Sequence, residues 1–217
     1  MPRRLAAEAL GSFFLFATVI GSGIMGVALA GGNDGIALLG NSIATGAMLF
    51  VLITMLGPIS GAHFNPAVSL VAAVRRSLSW RDTAAYVAAQ FGGGLLGAVA
   101  AHAMYGQRLI QTSLHVRAGP GQWLGEAIAT FGLIVTIIGT VRHARRAVPA
   151  SVALTIVAGY WFTSSTSFAN PAITLVRSLT GSFAGIAPAS APAFVAAQLL
   201  GAALAAGVAH WLFEEGR

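Results

Sequence analysis

The sequence has no cysteine and no lysine, and only six acidic residues in 217. Without cysteine there are no disulfides, no thiolate nucleophiles and no thiolate-ligated metals. A thiol target for mercurials is missing too, so block by such reagents is expected to be absent. Without lysine, all 12 basic residues are arginine. Charged residues make up 8% of the chain, whereas a soluble domain carries roughly a quarter. That excludes an ordinary solvated surface.

What is present is apolar. Hydrophobic residues account for 56% of the chain, the mean hydropathy is +0.79, and the apolar residues fall into long blocks. A block of about 18 residues is enough to cross ~30 Å of hydrocarbon as a helix. The net charge of +6 is no sign of nucleic acid, because most arginines sit in short gaps between apolar blocks. That is a pattern of membrane topology, not of a phosphate-binding face. The apolar run from Leu5 resembles a signal peptide, but it continues for more than twenty residues with Glu8 near its start. It reads as a retained first span.

The expected fold is an all-α membrane protein with six spans and two short re-entrant helices. The spans are placed at Leu5–Leu29, Ile36–Leu56, Thr83–Tyr105, Gln122–Val141, Val148–Phe162 and Ala191–Phe213. Asn65–Val74 and Asn170–Leu179 are apolar but too short to cross. The two halves repeat. Tyr86-Val87-Ala88-Ala89-Gln90 matches Phe194-Val195-Ala196-Ala197-Gln198, and His102 recurs as His210 at the same offset. Glu8-Ala9-Leu10-Gly11-Ser12-Phe13 likewise matches Glu126-Ala127-Ile128-Ala129-Thr130-Phe131. One domain over residues 1–217 is therefore expected, with repeats of about 1–110 and 118–217. An odd number of spans per repeat inserts the halves in opposite senses, and paired broken segments mark the solute path.

The arginines give an orientation. With the N-terminus inside, Arg3, Arg4, Arg75, Arg76, Arg81, Arg142, Arg145, Arg146 and Arg217 are cytoplasmic, while Arg108, Arg117 and Arg177 are not. Both termini are expected in the cytoplasm, in a plasma membrane of bacterial type.

Both short segments open with Asn-Pro-Ala: Asn65-Pro66-Ala67 and Asn170-Pro171-Ala172. Proline suits the first helical turn, where its missing N–H has no partner, and asparagine before it is a strong N-cap. One such tripeptide is only a capped helix. Two, in matching places of an inverted repeat, predict half-helices whose N-termini meet at the midplane. Irregular backbone at that depth survives only where protein buries it or water reaches it. Each N-terminus carries roughly half a positive charge, which opposes cations and protons, and each Asn amide can donate to a passing oxygen.

Ser60-Gly61-Ala62-His63-Phe64-Asn65-Pro66-Ala67-Val68 resembles the first signature loop of the aquaporin, or major intrinsic protein, family. The resemblance runs essentially end to end. It implies a homotetramer in the lipid bilayer with one pore per subunit, passing small neutral solutes. It also implies that Glu8 and Glu126 brace the pore loops, with His63, Gln90 and Gln198 in the same network. His102 and His210, near helix ends, are expected at the interface.

The sequence departs from the family where most members place Arg after the second Asn-Pro-Ala; here Ile173 stands there. Counting back without gaps puts Thr45 at the second-span position and Ala158, within one residue, at the fifth-span position. Ser167 is the loop contribution. A selectivity filter of Thr45, Ala158, Ser167 and Ile173 is small or apolar on every side and lacks a large ring. It predicts a wide pore for polyols, urea or undissociated metalloid acids. Together with Ser165-Thr166-Ser167-Phe168-Ala169-Asn170-Pro171-Ala172, the missing Arg resembles the bacterial subgroup associated with arsenic resistance. Arg177, one turn beyond Ile173, shares its helix face. It is expected either in the outer vestibule or snorkelling to the interface.

No cofactor, metal site or nucleic-acid partner is indicated, and no enzyme. An intramembrane enzyme needs a complete constellation of reacting groups. A secondary transporter is the alternative of another class, since it too uses inverted repeats, but coupling usually needs an ionisable residue at the midplane.

Overall fold

A computed structural model describes residues 1–214, all of its regular structure helical. The expected cytoplasmic position of Arg217 falls outside these residues. Eight α-helices follow in order: α1 (Pro2–Leu29), α2 (Asp34–Ser60), α3 (Pro66–Val74), α4 (Trp80–Met104), α5 (Pro120–His143), α6 (Val148–Phe162), α7 (Pro171–Val176) and α8 (Ala191–Glu214). A 3-10 turn at Arg145–Ala147 leads into α6, and another at Arg177–Leu179 extends α7.

Local chemistry sets these boundaries. Proline occupies the first turn of α1, α3, α5, α6 and α7. Asn33 and Ser79 cap α2 and α4 with side-chain oxygens, accepting from the N–H groups of Ile36 and Asp82. Gly61 ends α2 in the left-handed region at φ 90°, which a residue with a Cβ adopts only at a cost.

Helices α1, α2, α4, α5 and α8 are each long and apolar enough to cross a membrane. The fifth expected span, α6, has only 15 residues. It rises about 22 Å at 1.5 Å per residue, so the 3-10 turn before it completes the crossing. The outer surface is apolar, with Leu96, Leu154 and Trp211 well exposed, as hydrocarbon requires.

The repeat is visible in the packing. α1 lies against α2 and α4, α5 lies against α6 and α8, and α2 meets α6 between the halves. Two equivalent glycines set the closest approach. A Cβ on Gly93 would run into the backbone carbonyl of Ala9, and one on Gly201 into that of Ala127. No side chain fits there, because the obstruction is backbone.

One histidine departs from expectation. His102 is fully buried rather than interfacial; its ring nitrogens lie 2.7 Å from the Leu109 carbonyl and 2.8 Å from Thr180 Oγ1. It ties the end of α4 to the loop after α7, and position near a helix end could not reveal those partners. His210 is exposed.

Candidate pore

The two half-helices point their first turns at each other. Asn65 caps α3 by accepting from Ala67 N–H at 2.9 Å. Asn170 caps α7 by accepting from Ala172 and Ile173 at 3.0 and 3.3 Å. Each asparagine also donates across the centre: Asn65 Nδ2 to the Ala169 carbonyl at 2.7 Å, and Asn170 Nδ2 to the Phe64 carbonyl at 2.8 Å. One N–H of each amide is thereby used to fix the other loop. The second remains, and both side chains line the central cavity.

The loops before the caps are held in unusual backbone. Ala62 and Phe64 have φ of 52° and 49°, and the equivalent Ser167 and Ala169 have 49° and 47°. Left-handed non-glycine residues cost about 1–2 kcal/mol each, so something must hold them. Glu8, fully buried, accepts from Ser60 Oγ (2.7 Å), His63 N–H (3.0 Å), Phe64 N–H (2.8 Å) and Gln90 Nε2 (2.8 Å). Glu126, equally buried, accepts from Phe168 N–H (2.8 Å), Ala169 N–H (2.9 Å) and Gln198 Nε2 (2.6 Å). Gln90 and Gln198 donate in addition to Ser69 and Thr174 hydroxyls on the half-helices. Both carboxylates are thus occupied by backbone turned inward at the pore.

A cavity of about 1230 Å³ runs past these loops, from the arginine-bearing end of the helices as far as Arg177. At one mouth it is lined by Arg4, Arg75, Arg142, Arg145 and Arg146; at the other by Thr45, Tyr160, Ser167, Ile173 and Arg177. Where the loops meet, Phe64, Asn65, Ala169 and Asn170 bring no ionisable side chain to it.

Residues 1–167 match the major intrinsic protein family. The chain belongs to that family. This major intrinsic protein is 54% identical over 217 residues to aquaglyceroporin AqpS of Rhizobium meliloti (strain 1021), covering all of this chain and 93% of that one. It is 36% identical over 140 residues to aquaporin NIP1-1 of Oryza sativa subsp. japonica, covering 63% of this chain and 48% of the relative. In fold it is similar to the X-ray structure of the aquaglyceroporin from Plasmodium falciparum, with a TM-score of 0.76 at 19% identity, over 95% of this chain and 94% of the other. As a major intrinsic protein it is a multi-pass membrane channel for small solutes, not an enzyme.

The Arg177 end of the cavity in this major intrinsic protein corrects one expected filter residue. Ala158 is exposed on the outside of α6, away from the cavity. The cavity is lined instead by Val152, Ile156 and Tyr160, which recur every four residues on one face. Ala158 lies two residues, hence about 200°, from Ile156. The gap-free count failed because residues 163–169 form left-handed turns that break the register between α6 and α7. The helix is also apolar on every side, so periodicity marked no inner face. The consequence is chemical: a large ring is present after all, and Tyr160 OH lies 3.3 Å from Thr45 Oγ1.

The other named positions are buried and line the cavity: Thr45, Ser167 and Ile173 are 3%, 4% and 4% exposed. Ser167 sits on Gly159, where a Cβ would meet its hydroxyl. Arg177 does not snorkel; it is 2% exposed and lines the same cavity. His63 lies on the cavity with Nδ1 3.0 Å from Ser69 Oγ.

Proposed function

We propose that this major intrinsic protein is a passive channel for water and glycerol-like polyols, and that undissociated metalloid acids or methylated arsenicals also pass. The observation that carries the reading is the cavity past both Asn-Pro-Ala sites, where Phe64, Asn65, Ala169 and Asn170 are not ionisable and the nearest ionisable ring, His63, is tied to Ser69. Lumenal carbonyls and the free amide N–H of Asn65 and Asn170 exchange hydrogen bonds with a solute that has shed its water. The half-helix N-termini oppose cations at the same level. Coupled transport has no residue there to carry a proton.

The selectivity filter in this reading is Thr45, Tyr160, Ser167 and Ile173. Tyr160 and Thr45 satisfy one another, which holds the ring to the side, and Ile173 leaves room where an arginine would fill it. The resemblance of residues 165–172 to the arsenic-associated subgroup and the name aquaglyceroporin borne by the 54% identical relative support the wider solute range. The basic mouth fits the cytoplasmic side of a bacterial plasma membrane, with both chain ends there. The exposed apolar faces of the helices fit a homotetramer set in lipid. Glu8, Glu126 and His63 brace the loops and carry no proton across.

Stopped-flow shrink–swell of proteoliposomes tests this with water, glycerol, urea and arsenous acid, against an Ile173→Arg variant. Wild type is expected to pass all four without saturation at modest concentration and without dependence on an ion gradient. Ile173→Arg is expected to retain water and lose most glycerol flux. A wild type that passes only water overturns the wide-filter reading.

A further inference from the structure

Arg177 is buried, yet no carboxylate lies within ion-pair distance of it. Asp82, by contrast, pairs with Arg4 at 3.8 Å. Glu126, which braces the loop that carries Phe168, has its oxygens taken by Phe168, Ala169 and Gln198. The guanidinium of Arg177 is held from behind: Nε donates to the Ala184 carbonyl, and Cζ lies 3.3 Å from the centre of the Phe168 ring. Its own carbonyl accepts from Ile186 N–H at 3.2 Å. Among the described residues its two Nη groups have no hydrogen-bond partner, and the residue lines the cavity above Ile173.

A second cation stands beside it. Arg117 has its Cζ 5.1 Å from the centre of the same Phe168 ring, and its Nε donates to the Gly185 carbonyl at 2.9 Å. Desolvation pulls the Arg117 guanidinium below its usual pKa, the response of a cation short of counter-charge. Two arginines lie against one ring, the hydrogen bonds of Glu126 are taken, and Arg177 carries its charge to the cavity wall. Such a charge is costly unless an anion compensates it. A guanidinium fork with two open Nη groups matches an oxyanion in geometry.

We propose that Arg177 makes the end of the cavity beyond Ile173 a binding site for a small inorganic oxyanion, which seats on its Nη groups and slows the passage of neutral solutes. The effect on flux rests on the channel reading; the binding does not. Sulfate and phosphate are suitable probes because both present several acceptor oxygens to a fork of donors. Tyr160 and Thr45 line the same cavity, and the one hydroxyl hydrogen their mutual bond leaves over is a further donor.

The test has two readouts. Glycerol shrink–swell of proteoliposomes is measured with increasing sulfate on both faces at fixed ionic strength, gluconate making up the balance. Sulfate binding to detergent-solubilised protein is measured by calorimetry. Saturable slowing is expected, with phosphate competing. Arg177→Gln is expected to lower sulfate affinity about tenfold or more, the worth of charge-assisted hydrogen bonds. Flux in each variant is compared with its own sulfate-free value.

If Arg177→Gln cannot be isolated folded, Arg177→Lys decides, since it keeps the charge and loses the fork. Its affinity should fall; an affinity equal to wild type overturns the proposal. So does sulfate block that survives Arg177→Gln, or block that disappears instead in Arg142→Gln/Arg145→Gln at the other mouth. Absence of glycerol flux above empty liposomes would sink the channel reading alone, while calorimetry still judges the site.

Discussion

The loop before α3 and the loop before α7 are the same structure with different equipment. Each bends two equivalent non-glycine residues into the left-handed region (the second loop adds Thr166), each gives its N–H groups to a buried glutamate, and each hands a carbonyl to the other loop's asparagine. They differ one residue before the second left-handed bend. His63 stands in the first loop, edge-on to Tyr86 with ring centres 5.4 Å apart. Phe168 stands in the second, edge-on to Phe194 at 5.3 Å and facing two arginines. The backbone frame is common, and the ring it carries differs: a histidine in one loop, a phenylalanine bearing two guanidinium groups in the other.

The largest effects should come from breaking the frame. Glu8→Ala and Glu126→Ala each strand two buried backbone N–H groups and a glutamine, at about 1–3 kcal/mol per unsatisfied group. Both should lower the thermal unfolding midpoint in detergent severely. Ser60 and its equivalent Ser165 each hydrogen-bond to their glutamate as well, so the two losses should be of similar size. A harmless Glu126→Ala beside an unfolded Glu8→Ala would end the equivalence of the two loops.

Next comes the helix contact behind each glutamate. Gly93→Val and Gly201→Val push side chains into the backbone of α1 and α5 respectively. The two should cut the yield of folded protein to a similar degree, read by size-exclusion of the detergent extract. Unequal losses would mean the halves pack with different tolerance.

The rings give a smaller and more selective contrast. Phe168→Ala removes the platform under Arg177 and Arg117, and a desolvated cation–π contact is worth about 2 kcal/mol. Sulfate affinity should fall roughly tenfold or more. His63→Ala should leave that affinity as it is, since His63 touches Ser69 and Tyr86 instead. Equal loss in both variants would place the anion elsewhere.

Much of this was legible in the residues. The spans follow from apolar run length, and Asn-Pro-Ala in duplicate marks the half-helices because asparagine caps and proline starts a helix. Glu8 and Glu126 stand out because charge is rare in such runs. Tyr160 was missed because the inner face of α6 depends on the turns after it, and turns made by left-handed Thr166, Ser167 and Ala169 carry no glycine to announce them. His102 and the Arg177 clamp were hidden for a related reason: their partners are backbone carbonyls of Leu109 and Ala184, and any residue supplies a carbonyl.

The least disruptive experiment uses the missing cysteine. Ala62 and Ser167 are equivalent positions, one in each loop; both are left-handed, and both line the cavity, at 8% and 4% exposure. The wild-type channel should ignore mercurials, and Ala62→Cys and Ser167→Cys should each run near wild-type flux until treated, since a thiol adds little bulk to either site. A membrane-impermeant thiol reagent then separates the mouths. Applied outside intact cells, it should block Ser167→Cys and spare Ala62→Cys, because the arginine-rich mouth is assigned to the cytoplasm. Applied to inverted vesicles, the pattern should reverse. Block of both variants from one side would mean the reagent passes the asparagines, and the constriction would then be wider than Tyr160 and Ile173 allow.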